Sequence, residues 1–310
     1  MAKTPFPIVA ALTAIAIAYR NGRMIADEVL PRVPVGKQEF RYRKHAVEER
    51  FTVPDTRVGR RGQPNEVGFG FTESTSATED FGLEDPIPQA DIDQAAEGYS
   101  PVNHATESLT DLVILDREIR AAAVVQSPLS YAAAQVQVLT SAQQFSEETS
   151  SPIEVITEAL DTPIMRPNVM TLGRKAFSSL SMHPDIVKAA QRNSGDKGKA
   201  TRMAIAELFE LEDVLVGEGF VNTAKPGQVA QIERVWGNSV SLTYRDRLAR
   251  PAGGRVTWGF TAQWGSRIAG QWEDKNIGLR GGQRVRVGES VKELVSAPDL
   301  GFLLQNVVPA

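Results

Sequence analysis

Three histidines, His45, His104 and His183, are the only imidazoles in the chain. Each stands alone, without the HExxH or HxH spacing that would bring two ring nitrogens to one metal. A lone histidine reads as surface or cap chemistry. The chain has no cysteine, which excludes disulfides, thiolate metal sites and thiol nucleophiles. No G-x-S-x-G elbow is present. Asp91 and Asp93 begin like a calcium loop, but Ala96 stands where the sharp turn needs glycine. The segment Ser194–Thr201 (SGDKGKAT) approaches a phosphate-binding loop. Its first glycine falls on Asn193, Ala200 replaces the magnesium-binding hydroxyl, and a helix precedes it where the motif needs a strand. Gly278–Gly282, between β-like runs, reads as a hairpin turn rather than a cofactor cradle. Trp236, Trp258, Trp264 and Trp272 read as core or edge packing rather than a ligand cage. No catalytic, cofactor-binding or metal-binding residue is assigned.

The remaining chemistry is charge. From Lys37 to Arg61 the chain carries Lys37, Arg41, Arg43, Lys44, Arg50, Arg57, Arg60 and Arg61. From Gly68 to Gly98 it carries no Lys or Arg, while Glu73, Glu79, Asp80, Glu84, Asp85, Asp91, Asp93 and Glu97 accumulate. The carboxylate pairs Glu79-Asp80 and Glu84-Asp85 have no apolar surroundings in sequence that would raise one pKa for acid catalysis. They read as a solvated or ion-paired face. A planar guanidinium grips a carboxylate with two hydrogen bonds, so Arg57, Arg60 and Arg61 are expected to contact Glu79, Asp80, Glu84 and Asp85 of a neighbouring subunit.

These charges need an element to present them. Glu39–Val53 mixes aromatic and basic residues in two extended runs, Gly59–Asn65 is turn chemistry, and Glu66–Phe71 alternates as Val67, Phe69, Phe71. That pattern predicts a long two-stranded ribbon with an open tip. It holds too few apolar residues for a core, and a lone hairpin is marginal in water. Either it lies on a neighbour, or it is a mobile hairpin followed by an acidic, disordered linker.

The remaining sequence sets the frame. A chain of 310 residues with a net charge of −4 suggests one large domain or two modest ones, and not a dedicated DNA-binding protein with a basic face. The apolar run Phe6–Ala18 has the outline of a secretory signal, but its basic flank is one Lys and the pattern continues into Leu30. It is shorter than the roughly 20 residues of a membrane span. A retained helix packed on protein is expected, ending near Asn21-Gly22, then a second short helix stopped by Pro31 and Pro34. His104–Gln126 predicts a helix about 35 Å long, capped by Asn103, with Leu112, Leu115, Ile119 and Ala122 on its apolar stripe. Asp111, Asp116, Arg117, Glu118 and Arg120 are expected on its wet side. Residues 134–216 alternate helix and strand. From Ala230 the runs Val240–Tyr244, Val256–Trp264, Ala269–Trp272, Arg284–Val287, Val291–Val295 and Gly301–Val308 predict strands.

This order of elements resembles the major capsid proteins of tailed bacteriophages. The resemblance is carried by the runs Phe51–Arg60 (FTVPDTRVGR) and Ala105–Leu112 (ATESLTDL). Two further runs carry it: Asn168–Gly173 (NVMTLG) with the following His183-Pro184-Asp185, and Leu215–Lys225 (LVGEGFVNTAK). It spans nearly the whole chain, and its specificity lies in the ordered series. It implies an α+β, Hong Kong 97-like phage capsid fold. The implied parts are an N-terminal arm (1–36), an extended loop (37–90), a peripheral domain with a long spine helix (91–150), an axial domain (151–239) and a β-rich return shared by both domains (240–310).

The resemblance also implies a function. It is a head protein that assembles with itself into hexamers and pentamers of an icosahedral shell around double-stranded DNA, contacted non-specifically, with no membrane partner and with assembly in the bacterial host cytoplasm. Portal and cement proteins are further expected partners. Some members carry a long cleaved scaffolding region before the arm; this chain has no room for one, so where scaffolding is needed a separate protein is expected to provide it. Others crosslink a loop lysine to an asparagine; here the tip has no lysine, and Lys37 and Lys44 lie near the base. The competing readings are an encapsulin-type bacterial compartment and a small α/β enzyme with a β-domain.

Overall fold

The structure, a computed structural model, describes residues 9–18, 24–44, 53–66, 72–191, 198–225, 227–249 and 255–309. The arm is a helix, α1 (Ala10–Ala18), then a short helix, α2 (Ala26–Val29), and a strand, β1 (Arg32–Val35). Leu12 and Ala16 of α1 are buried against Ile87, Leu109, Val285 and Val287, so the apolar run packs on protein as its pattern predicts. Its expected end near Asn21-Gly22 lies outside the described residues.

The outgoing strand of the ribbon begins as expected, and its partner at the base lies just beyond the expected return arm Glu66–Phe71. β2 (Glu39–Lys44) pairs antiparallel with β3 (Thr72–Ala77), with Phe40 opposite Ser76 and Lys44 opposite Thr72. The expected return arm Val67, Phe69, Phe71 and the run starting at Phe51 lie outside the described residues. Phe40 and Tyr42 are buried with Val33, Phe260 and Ala262, so the ribbon's base has a core supplied by its own chain.

The acidic belt is not a disordered linker. Glu79–Pro88 is a ten-residue strand, β4, at the edge of a four-stranded sheet with β1, β11 (Gly259–Asp274) and β12 (Gly282–Val295), in the order β1-β11-β12-β4. Cross-strand basic partners make this possible: Glu79 meets Lys292, and Glu84 meets Arg284 and Arg286. A short helix, α3 (Gln89–Asp93), leads to the spine helix, α4 (Pro101–Val125). Proline occupies its first turn, and its cap is Ser100, whose Oγ accepts the Asn103 N–H at 3.3 Å; the expected cap, Asn103, therefore lies inside the helix.

The buried stripe of α4 also differs from expectation. Leu112 is exposed, whereas Ala105, Thr106, Leu109, Thr110, Val113, Arg117, Glu118, Ala121, Ala122 and Val125 are buried. Small residues let the helix lie close to the sheet, and the two threonines return their hydroxyls to carbonyls one turn back, Thr106 to Val102 at 2.8 Å and Thr110 to Thr106 at 2.6 Å. Arg117 and Glu118 are thus core residues rather than part of the wet side.

The middle lobe is built on a five-stranded sheet ordered β5-β13-β10-β6-β7. Its strands are β5 (Val136–Val138), β6 (Val169–Gly173), β7 (Asp213–Gly217), β10 (Val240–Thr243) and β13 (Gly301–Gln305). One face carries Met170, Leu172, Leu242 and Leu304 against α5 (Pro152–Asp161), α6 (Arg174–Met182), α7 (Pro184–Gln191) and α8 (Arg202–Leu208). The other carries Val169, Leu215 and Leu303 against Ala121, Val125, Leu30 and Trp258. β6 and β10 are buried on both faces along their whole length, including the polar Thr171, Ser241 and Thr243.

Two strands join runs that read as separate in sequence. β11 (Gly259–Asp274) spans Trp264 and Ala269 with a register shift between Trp264 and Ile268, where Gly265 takes φ +69°. β12 (Gly282–Val295) is continuous, and the Gly278–Gly282 segment is the turn between them. A small hairpin, β8 (Phe220–Asn222) with β9 (Ile232–Arg234), stands apart as its own two-stranded sheet.

Candidate assembly surfaces

Residues 53–66 form the exposed tip of the ribbon, and Arg57, Arg60 and Arg61 are all exposed on it. The tip is organised by its own polar groups: the Gly62 N–H donates to Gly59 O at 2.9 Å, the Arg57 N–H to Asp55 Oδ1 at 2.9 Å, and the Asn65 amide to Asp55 O at 2.8 Å. These bonds fix the backbone and leave the three guanidiniums without an ion-pair partner among the described residues.

The four acidic residues expected to receive them lie on β4. Lys292 Nζ contacts Glu79 at 2.5 Å, Ser290 Oγ donates to Asp80, and Arg286 Nε and Arg284 Nη1 donate to Glu84 at 2.5 and 3.3 Å. Asp85 is half-buried, with no polar partner among the described residues. Lys292 holds the Glu79 carboxyl below the usual range, by hydrogen bond first and then by charge. Within one chain, then, three of the four are already held by β12, and none pairs with the tip.

The arm is held differently, by buried charge. The Glu118 carboxylate accepts the Ile25 N–H at 3.0 Å, the Ala26 N–H at 2.7 Å and the Trp236 indole N–H at 2.5 Å. Burial pushes its pKa up against these hydrogen bonds. Arg117 donates to Asp27, to Leu30 O at 3.3 Å and to Thr261 Oγ1 at 3.0 Å; burial lowers its pKa to about 10, so it stays charged at neutral pH. Arg267 donates to Glu289 at 3.1 Å and to Ala16 O at 2.8 Å, and Arg32 bridges Glu289 at 2.8 Å and Asp27 at 2.6 Å. Arg120 joins Glu293 at 3.3 Å and lies 3.5 Å above the Phe81 ring. Buried charges persist only when paired and hydrogen-bonded, and this set ties the arm, the spine helix and the sheet at one place.

The sequence held one sign of this network. On β12 the residues Val285, Val287, Glu289, Val291, Glu293 and Val295 share one parity, so two glutamates stand on an otherwise valine face. Their buried partners are the missed functional residues of this fold.

The tryptophans separate by role. Trp236 is buried against Glu118, Trp258 stacks on Tyr131 with ring centroids 5.1 Å apart, and the Trp264 side chain is exposed. His183 is buried at the α6–α7 junction, 3.3 Å from Ser150 Oγ and 3.0 Å from Glu147 O. His45 and the first half of the Ser194–Thr201 segment, residues 194–197, lie outside the described residues. Among the described residues no group of three or more His, Asp or Glu side chains is arranged to hold a metal ion, and no helix is long and apolar enough to cross a membrane.

No known protein-family model matches the chain. The chain is 56% identical over 310 residues, covering all of both sequences, to the major capsid protein of Pseudomonas phage JBD67. Its fold is similar to that of a phage-related protein of Bordetella bronchiseptica, with a TM-score of 0.77, 21% identity, and coverage of 99% of this chain and 100% of that one. It is also similar to the capsid of cyanophage P-SCSP1u, with a TM-score of 0.62, 8% identity, and 93% and 89% coverage. The encapsulin SrpI of Synechococcus elongatus is more distant, with a TM-score of 0.53, 10% identity, and 99% and 92% coverage.

Proposed function

This chain belongs to the phage major capsid proteins, and we propose that it builds an icosahedral head from hexamers and pentamers around double-stranded DNA. Its fold is the α+β, Hong Kong 97-like capsid fold, and it is a structural component of the virion. The distant encapsulin likeness reflects that shared fold.

The observation that carries the finer reading is the tip. Its base is anchored by Phe40 and Tyr42 in the chain's own core, while Arg57, Arg60 and Arg61 stand exposed with no carboxylate partner among the described residues. The ribbon lays this tip on the acidic strand of an adjacent subunit, at Glu79, Asp80, Glu84 and Asp85. A carboxylate accepts several hydrogen bonds, so an incoming arginine extends the β4–β12 ion pairs into a network. Each exposed pair contributes only about 0.2–1 kcal/mol, but the contact repeats at every subunit.

In this reading residues 1–36 are the arm, 37–90 the extended loop, 91–150 the peripheral domain with its spine, 151–239 the axial domain, and 240–310 a return shared by both. The placing of β10 and β13 in the five-stranded sheet and of β11 and β12 in the four-stranded one supports that sharing. Assembly proceeds in the host cytoplasm with separate scaffolding, portal and cement proteins. DNA is met through its phosphates without sequence readout, and the protein performs no catalysis.

The test is Arg60→Glu/Arg61→Glu. Particle yield should fall while the circular dichroism of the soluble subunit stays unchanged. Normal yield with unchanged shell stability would remove the tip contact, and loss of fold would make the tip part of the subunit's own core.

A further inference from the structure

The β8–β9 hairpin is built to be touched. It leaves the body at Gly219 and returns at Val235, whose N–H donates to Gly219 O at 3.0 Å. Above that point the hydrogen bonds are internal: the Thr223 N–H donates to Gln231 O at 2.9 Å, and Asn222 Oδ1 accepts the N–H groups of Ala224 and Gln231 at 3.1 and 3.0 Å. So short a ribbon is marginal in water on its own, yet it exposes Phe220 (44%), Ile232 (60%) and, in its loop, Val229 (90%).

Its two faces carry opposite charges. The register pairs Phe220 with Arg234, Val221 with Glu233, and Asn222 with Ile232. One face therefore presents Phe220, Ile232 and Arg234, with the guanidinium 4.5 Å above the Phe220 ring. The other presents Val221 and Glu233. Neither Arg234 nor Glu233 has an ion-pair partner among the described residues.

We propose that this hairpin docks front to back on the same hairpin of the next copy, with Arg234 of one against Glu233 of the next. The proposal rests on the shell reading above and adds a contact to it. A front-to-front pairing would set Arg234 against Arg234 and repel. A front-to-back pairing is complementary in charge, covers Phe220 and Ile232, and is heterologous, the type of contact that builds a ring where the rotation between copies closes.

Charge exchange tests it. Glu233→Arg alone and Arg234→Glu alone each place like charges across the contact and should lower particle yield roughly tenfold or more. The double exchange Glu233→Arg/Arg234→Glu should return it close to the parent. Single variants that assemble like the parent, or a double exchange no better than either single, would overturn the proposal. A parent that forms no particles would instead fail the shell reading. Cross-linking supplies a second measurement, since the chain has no native cysteine. Oxidised particles of Glu233→Cys/Arg234→Cys should give a covalent ladder extending to five and six copies on a non-reducing gel. A ladder that stops at dimers, or no ladder, contradicts a front-to-back ring.

Discussion

The Glu118 carboxylate accepts the Trp236 indole N–H at 2.5 Å, across 118 residues of sequence. The same carboxylate caps Ile25 and Ala26. One buried group on the spine helix thus holds the arm on one side and, through Trp236, the root of the β8–β9 hairpin on the other. The arm and the β8–β9 hairpin are both tied to the spine helix at one buried carboxylate.

Removing either partner should therefore destabilise the subunit, and the two losses should not add. Trp236→Phe keeps most of the ring and deletes the donor; Glu118→Leu keeps most of the side-chain volume and deletes the acceptor. Each should cost about 1–3 kcal/mol, the range for a hydrogen bond to a buried charged group. Urea unfolding of unassembled subunits should give a coupling energy of roughly 0.5–3 kcal/mol in the double variant. Costs that simply sum would mean the bond contributes nothing of its own.

The buried glutamates set opposite pH trends. Burial would raise the Glu289 pKa, but Arg32, Arg267 and Arg117 outweigh it and hold it below the ordinary 4.5. Its stabilisation is present above 4.5 and is lost as pH falls through the depressed value. The Glu118 pKa is raised, chiefly by burial, so its contribution is greatest below 4.5 and declines as pH rises through the raised value. Glu289→Gln should be less stable than the parent at neutral pH, with a shallower loss of urea midpoint below pH 4.5. An unchanged acid limb would contradict this assignment.

Gly217 ends β7 directly beneath the Trp236 indole, and a Cβ there would overlap the ring. Gly217→Ala should cost roughly 1–3 kcal/mol by overpacking and shift tryptophan fluorescence as the indole leaves Glu118. Gly219→Ala is the control, because a Cβ there meets the flexible Met24 side chain at 3.2 Å. Equal effects at both positions would argue against the packing account.

Much of this fold was legible because its strands and helices follow apolar period and turn chemistry. The alternating helices and strands of the middle lobe and the Gly278–Gly282 turn fall where those signals put them, and the ordered series of runs carried the family resemblance. The face of the spine helix was misread because Leu112, Leu115 and Ile119 are the large aliphatics, while the sheet is met by Ala105, Ala121, Ala122 and two threonines. Arg117 and Glu118 were assigned to water because local sequence cannot show that Asp27, Thr261 and Trp236 arrive to satisfy them. The acidic belt reads in sequence as a solvated or ion-paired face or as a linker, and local sequence could not choose among these because the partners Arg284, Arg286 and Lys292 lie some 200 residues away. The β8–β9 hairpin gave no periodic signal, since its strands are three residues long.

Electron microscopy of the purified full chain tests the central claim most directly. The account predicts closed shells with six-fold and five-fold rings of subunits. Monodisperse monomer under every assembly condition, with no shell or ring in the micrographs, would contradict it.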